Sequence, residues 1–357
     1  MSQRVQVLVG TKKGAFIIES DTARRTWTTR GPFCDLWPIH HFIRTSDGTL
    51  FAGGGNPWYG ATVFRSADDG STWTQSSRGI DYGADGPKMR SIWHVAQTNG
   101  TLYVGAEPAG LFRSDDSGQT WLHVAGLREH PSQPEWEPGA GGLILHSIVP
   151  HPTDAERLWI AISAAGTFET TDGGQTWATR NKGVRADFIP GPTPEFGHCV
   201  HKLKLNPAEP DTLYQQNHCG VYRSDDGGRE WVDLSPGLPS EFGFPLQIHP
   251  HDPSTIYVIP HAGPEDGRQM VEGHAQVFRS RDRGESWQPL DKGLPHQNAY
   301  LTVLREAMAA DSLDRAGIYF GTSAGHLFAS SDEGDSWQMI ADYLPSIWSV
   351  EVAVVDD

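Results

Sequence analysis

The chain has 357 residues, a formal net charge of −16, and 40 Gly, 25 Pro and 13 Trp, a composition suited to many short strands joined by turns. So acidic a balance lacks the Lys and Arg footprint that nucleic acid or an anionic membrane requires, and no apolar run approaches a membrane span, so neither is expected as a partner. Three Cys in a chain long enough to bury a large core read as reduced thiols rather than as a disulfide scaffold.

In chain order, residues 1–10 enter an alternating strand at once, without the apolar core of a secretory signal, and a cytoplasmic protein is the expectation. Strands at 5–10, 14–19 and 26–29 precede Gly31, one fewer than a four-stranded blade needs. The octet Ser66-Ala67-Asp68-Asp69-Gly70-Ser71-Thr72-Trp73 then returns, lightly altered, ending at Trp121, Trp177, Trp231, Trp287 and Trp337. With a degenerate copy at Ser20 and Thr26-Trp27, there are seven copies at intervals of roughly 46 to 56 residues, the spacing of propeller blades. Each copy reads as a turn staple, in which Asp accepts backbone N–H groups, Gly supplies a left-handed conformation and Trp anchors the strand that follows. A feature repeated in every blade does not mark a single site. One blade reads cleanly as strands 92–97, 101–105, 110–114 and 120–124, the first innermost. The last segment, 347–354, alternates well and has no later partners. The expectation is one all-β domain over 1–357, a seven-bladed β-propeller of four-stranded antiparallel blades whose ring is closed by the C-terminal strand pairing with the N-terminal blade.

Function is expected on the face opposite the octets, where the longest insertions fall at 74–90, 127–142, 181–197 and 262–273. Sixteen His is a high count, and many precede or begin an innermost strand. Aligning blades on Pro152 and Pro207 makes His146 and His201 equivalent, with Phe244 in the same position one blade later. Converging neutral imidazoles suit a borderline divalent metal, with Zn, Fe, Mn, Ni or Cu all open on ligand type. The candidate ligands are His94, His146, His198 and His201. His198 and His201 share one ion only if the chain bends near Gly197, because residues three apart face opposite sides of a regular strand. Glu107 and Glu195 are candidates to complete such a site or to act as base, and Glu135 joins them as a catalytic carboxylate. His41, Arg90, Trp93, Trp136, His218 and His261 are the candidate residues for binding a small-molecule or glycan ligand. The leading expectation is a metal-binding, His-lined pocket acting on a small ligand. A glycoside hydrolase using paired carboxylates is the first alternative and a non-catalytic scaffold the second.

The repeated octet resembles the Asp-box, or bacterial neuraminidase repeat, over nearly the whole chain. Proteins built on that repeat include sialidases, xyloglucan-degrading glycosidases, sortilin-type receptors and a photosystem assembly factor, so the resemblance implies the propeller and leaves the activity open. The segments 134–142, Gly197-His198-Cys199-Val200-His201, Phe242-Gly243-Phe244-Pro245 and Leu304-Arg305-Glu306-Ala307-Met308 look like those of stand-alone bacterial propellers often labelled sialidase or glycosyl hydrolase. Sialidase residues are not carried over. Sialidases have six blades, an Arg-Ile-Pro motif and an arginine triad, whereas here the early segment reads Phe42-Ile43-Arg44-Thr45 and four arginines stand beside the octets.

Overall fold

The computed structural model describes residues 3–56, 58–189 and 194–356. The part of the 181–197 insertion at 190–193 therefore lies outside the described residues. The chain is all-β, with seven four-stranded antiparallel sheets, the blades of a β-propeller. Blade one takes its first strand from the C-terminus, in the order Ile347–Asp356, Gln3–Thr11, Gly14–Asp21 and Thr28–Phe33. The expected closure holds, with partners running from Gln3↔Asp356 to Thr11↔Ile347. The first strands of blades two to seven are Ile39–Arg44, Ser91–Thr98, Leu145–Pro150, Val200–Leu205, Gly243–Ile248 and Met308–Ala310.

The chain groups into two compact units, residues 1–44 with 234–357, and residues 45–233. The first has a core in which Val5, Val7 and Val9 of blade one meet Tyr319, Phe320 and Ile347. The second has apolar clusters around Phe168 and around Trp159 and Tyr222. Among the described residues, no helix is long and apolar enough to cross a membrane.

The octets lie between third and fourth strands, as expected, and their hydrogen bonds explain the recurrence. Oδ1 of Asp68, Asp116 and Asp332 accepts the N–H of the residue four ahead at 2.8 to 2.9 Å, and Oδ2 accepts that residue's hydroxyl at 2.6 Å. The leading Ser or Thr accepts the Gly N–H, as Ser66 does from Gly70 at 2.9 Å and Thr170 from Gly174 at 2.9 Å. These bonds to the ionised form hold the Asp68, Asp116, Asp172 and Asp282 carboxyls down at about 2. The closing Trp also reaches the preceding blade: Trp121 Nε1 donates to Ser76 O at 2.7 Å, Trp231 to Arg180 O at 2.8 Å and Trp287 to Leu234 O at 2.9 Å. The octet therefore fastens a hairpin and, in these three copies, joins neighbouring blades.

A second repeated device decides where the first strands aim their side chains. Pairing with the second strand slips between Ile92 and His94, between Leu145 and Ser147, between Val200 and Lys202, and between Gly243 and Leu246. Such bulges bend the strand and re-aim the extra residue. The residues at the slips are Trp93, His146, His201 and Phe244 with Pro245.

Candidate functional site

Within the unit of residues 1–44 and 234–357, three first strands bring titratable groups together. His41 on Ile39–Arg44 is 2% exposed, and its Nε2 lies 3.4 Å from Glu351 Oε1 and 3.6 Å from Glu306 Oε2. Glu351 stands on the closing strand and is half-buried. Glu306 precedes Met308–Ala310 and is buried. The two carboxylates converge because their backbones run side by side: Glu306 bridges Ser349 in parallel, and the Val350 N–H donates to Glu306 O at 2.8 Å. One buried imidazole thus stands between a buried and a half-buried carboxylate.

The neighbours are aromatic and cationic. His40, on the opposite side of the same strand, stacks on Trp348 with centroids 4.5 Å apart. Burial, assisted by the Arg305 charge, pushes the His40 imidazole down to about 3, so it is neutral in the working range. The Arg305 guanidinium lies 5.6 Å from the Phe244 ring centroid. His261, expected to bind ligand, is instead fully buried: its Nε2 accepts the Val303 N–H at 3.0 Å, and burial lowers it to about 4.

Within residues 45–233, the expected metal set does not assemble as drawn. The His146 ring is buried, with Nε2 donating to Val200 O at 2.9 Å and Nδ1 facing Ser147 Oγ at 3.1 Å, so neither nitrogen is left to ligate. His198 is buried and donates from Nε2 to Pro194 O at 2.7 Å. Gly197 does carry the expected bend, at φ 93°, but it turns His198 away into this bond. His94 is buried on blade three. Within residues 45–233, His201 joins a ligand cluster with Cys199 and with His218, which was expected to bind substrate.

The catalytic and binding candidates scatter similarly. Glu107 accepts from Arg90 at 3.2 Å, Ser91 Oγ at 3.3 Å and Trp93 Nε1 at 3.1 Å, so three expected residues do meet, as a satisfied network. Glu195 accepts the Thr179 hydroxyl at 2.8 Å, and Glu135 is exposed on a short 3-10 turn. Trp136 is buried: its Nε1 donates to Ser132 Oγ at 2.9 Å and its ring packs on Phe168, so it holds its own loop rather than stacking a sugar. All three cysteines are free thiols.

Sequence reasoning missed Glu306 and Glu351. The available signal for Glu351 was a single acid in an otherwise apolar alternation, Val350-Glu351-Val352. Glu306 lay in a segment noted for its resemblance and not for its chemistry.

Fold and centre together define a seven-bladed β-propeller carrying a buried imidazole between two carboxylates. No family model matches the chain. It is 27% identical over 232 residues to the probable oligoxyloglucan-reducing end-specific xyloglucanase of Neosartorya fischeri, covering 53% of this chain and 27% of that protein. It is 25% identical over 281 residues to a xyloglucanase of Hypocrea jecorina, covering 68% and 30%. The crystal structure of an ancestral GH74 enzyme is similar at a TM-score of 0.58 and 16% identity, over 85% of this chain and 38% of that one. The chain spans less than a third of the length of these two curated relatives.

Proposed function

We propose that the chain is a carbohydrate-active propeller that hydrolyses glycosidic bonds in a xyloglucan-type glycan, with Glu306, His41 and Glu351 as its acid–base centre. The observation that carries the reading is the pair of contacts at His41 Nε2, 3.4 Å to one carboxylate and 3.6 Å to the other. Similarity to xyloglucanases supports the substrate class. This is the paired-carboxylate alternative, moved from the loops to the first strands.

In this reading Glu351, the half-buried member, meets the ligand and protonates the departing glycosidic oxygen. Water adds to the anomeric carbon, and the proton it sheds returns to the relay, so the centre is unchanged after each turnover. His41 passes that proton on, while buried Glu306 orients the ring and balances its charge. Trp348, half-buried against His40, offers an apolar face for a sugar ring.

The test is product release from xyloglucan oligosaccharides and a panel of other β-glucans. Glu351→Gln and His41→Ala are expected to lower turnover by ~10²–10⁴-fold with melting temperature preserved. A wild-type chain that binds these glycans without cleaving them, or that ignores them, would overturn the hydrolase reading.

A further inference from the structure

A second chemical centre lies wholly within residues 45–233 and is independent of the glycan reading. Cys199 immediately precedes the first strand of blade five, Val200–Leu205. His201 is the bulged residue of that strand, and His218 occupies the turn between Leu213–Asn217 and Gly220–Ser224. The backbone holds these points together, since the His218 N–H donates to Cys199 O at 2.9 Å.

Cys199 and His201 are two apart in the chain, and with the bulge at His201 both reach the same end of the hairpin. Cys199 Sγ lies 3.5 Å from His201 Nε2, and one ligand atom from each of Cys199, His201 and His218 falls within 4.8 Å of the others. A zinc ion with Zn–S of ~2.3 Å and Zn–N of ~2.0–2.1 Å at tetrahedral angles spaces its sulfur and nitrogen ligands ~3.5 Å apart, which is the separation found. The two imidazoles meet at 71° with centroids 5.6 Å apart, converging rather than stacked. The Phe188 ring packs edge-on against His218 at 5.1 Å and limits its rotation.

We propose that Cys199, His201 and His218 form a site for a thiophilic divalent metal ion, zinc by ligand type, with the fourth position open. One thiolate and two neutral imidazoles are a donor set that selects zinc over magnesium or calcium. His201 is buried and anchors the ion, whereas Cys199 and His218 are half-buried, which leaves a route for metal and for a fourth ligand. The ligands sit on a finished hairpin, so the metal is added to a folded blade and is not needed to form it.

The experiment uses the full chain without a polyhistidine tag, stripped with a chelator and titrated with Zn(II) and Co(II). One equivalent is expected to bind, and Co(II) is expected to give a thiolate charge-transfer band. The near-isosteric Cys199→Ser removes that band and weakens metal binding by more than the ~10–100-fold typical of losing an outer partner, while the melting temperature of the metal-free protein stays unchanged. His218→Ala has the same effect on affinity. His296→Ala, in the separate His274, Asp291 and His296 cluster, leaves binding intact. The proposal is overturned if no equivalent of metal binds, if the band survives Cys199→Ser, or if His296→Ala is the variant that abolishes binding.

Discussion

Removing residues 346–357 takes away the whole first strand of blade one, and the structure sets the scale of the damage. The strand pairs with Gln3–Thr11 at nine positions. At a net ~0.5–1.5 kcal/mol per hydrogen bond, a ladder of this length contributes several kcal/mol. Ile347 and Val350 are fully buried, and each side chain adds roughly 1.5–3 kcal/mol of apolar transfer. The combined loss is comparable to the ~5–15 kcal/mol that holds an ordinary domain folded, and it also opens the backbone edge of Gln3–Thr11 to pairing with other chains. The truncated chain is therefore expected in the insoluble fraction, and the milder Val350→Asp is expected to lower the urea midpoint sharply without preventing expression. If the truncated protein is soluble, monomeric and melts within a few degrees of the full chain, the closing strand does not carry the stability assigned to it.

Asp311→Ala should cost about 3–5 kcal/mol in urea unfolding, because it strands the buried Arg24 guanidinium, 3.0 Å from Asp311 Oδ2, and deprives Tyr319 of its acceptor at 2.7 Å. A loss below about 1 kcal/mol would mean that water replaces the carboxylate. Asp226→Ala should cost about 0.5–1.5 kcal/mol by freeing the exposed Glu230 N–H, held at 3.0 Å, and should leave both ligand and metal binding unchanged; altered binding at constant stability would give the octet a functional role. For pH, His40 and His261 are lowered from 6.5 to about 3 and about 4 by burial, so the unfolded chain binds protons that the folded chain refuses. Stability should be full above about pH 6.5 and fall by up to ~1.4 kcal/mol per pH unit for each imidazole as pH drops toward 4, with His261→Gln removing part of the slope.

Much of the architecture was legible because it repeats. The octet stood out in six places with a degenerate seventh copy, and its chemistry is local: an Asp with a hydroxyl residue four ahead forms the same turn wherever it occurs. The closing strand was legible for a different reason, since 347–354 alternates and three strands before Gly31 leave a blade incomplete. The fourth strands were overextended in the sequence reading. At 120–124 only Leu122–His123 pairs, because Thr120 is already bonded to Asp116 and Trp121 is turned back to Ser76. The cluster at His41 was not legible, because it depends on Glu306 lying beside Ser349, a contact between segments far apart in the chain and outside any repeat.

The fate of His146 and His201 shows where repeat alignment loses its force. Their backbone equivalence was inferred correctly, and both sit at a slip in the first-strand pairing of adjacent blades. What differs is the chemistry of the residues that surround each ring. His146 has Ser147 beside it and the Val200 carbonyl of the next blade 2.9 Å away, so its ring is locked in one tautomer with both nitrogens engaged. His201 instead follows Cys199 and faces His218 across a hairpin turn, so the same bulge delivers an imidazole to two other soft donors. The repeat copies the direction of a side chain, while the residues at flanking, non-repeating positions decide whether that side chain serves as a structural hydrogen-bond donor or as a ligand. A functional reading of such a chain has to compare blades at these flanking positions, where Ser147 stands against Lys202 and Ile144 against Cys199, rather than at the aligned histidines themselves.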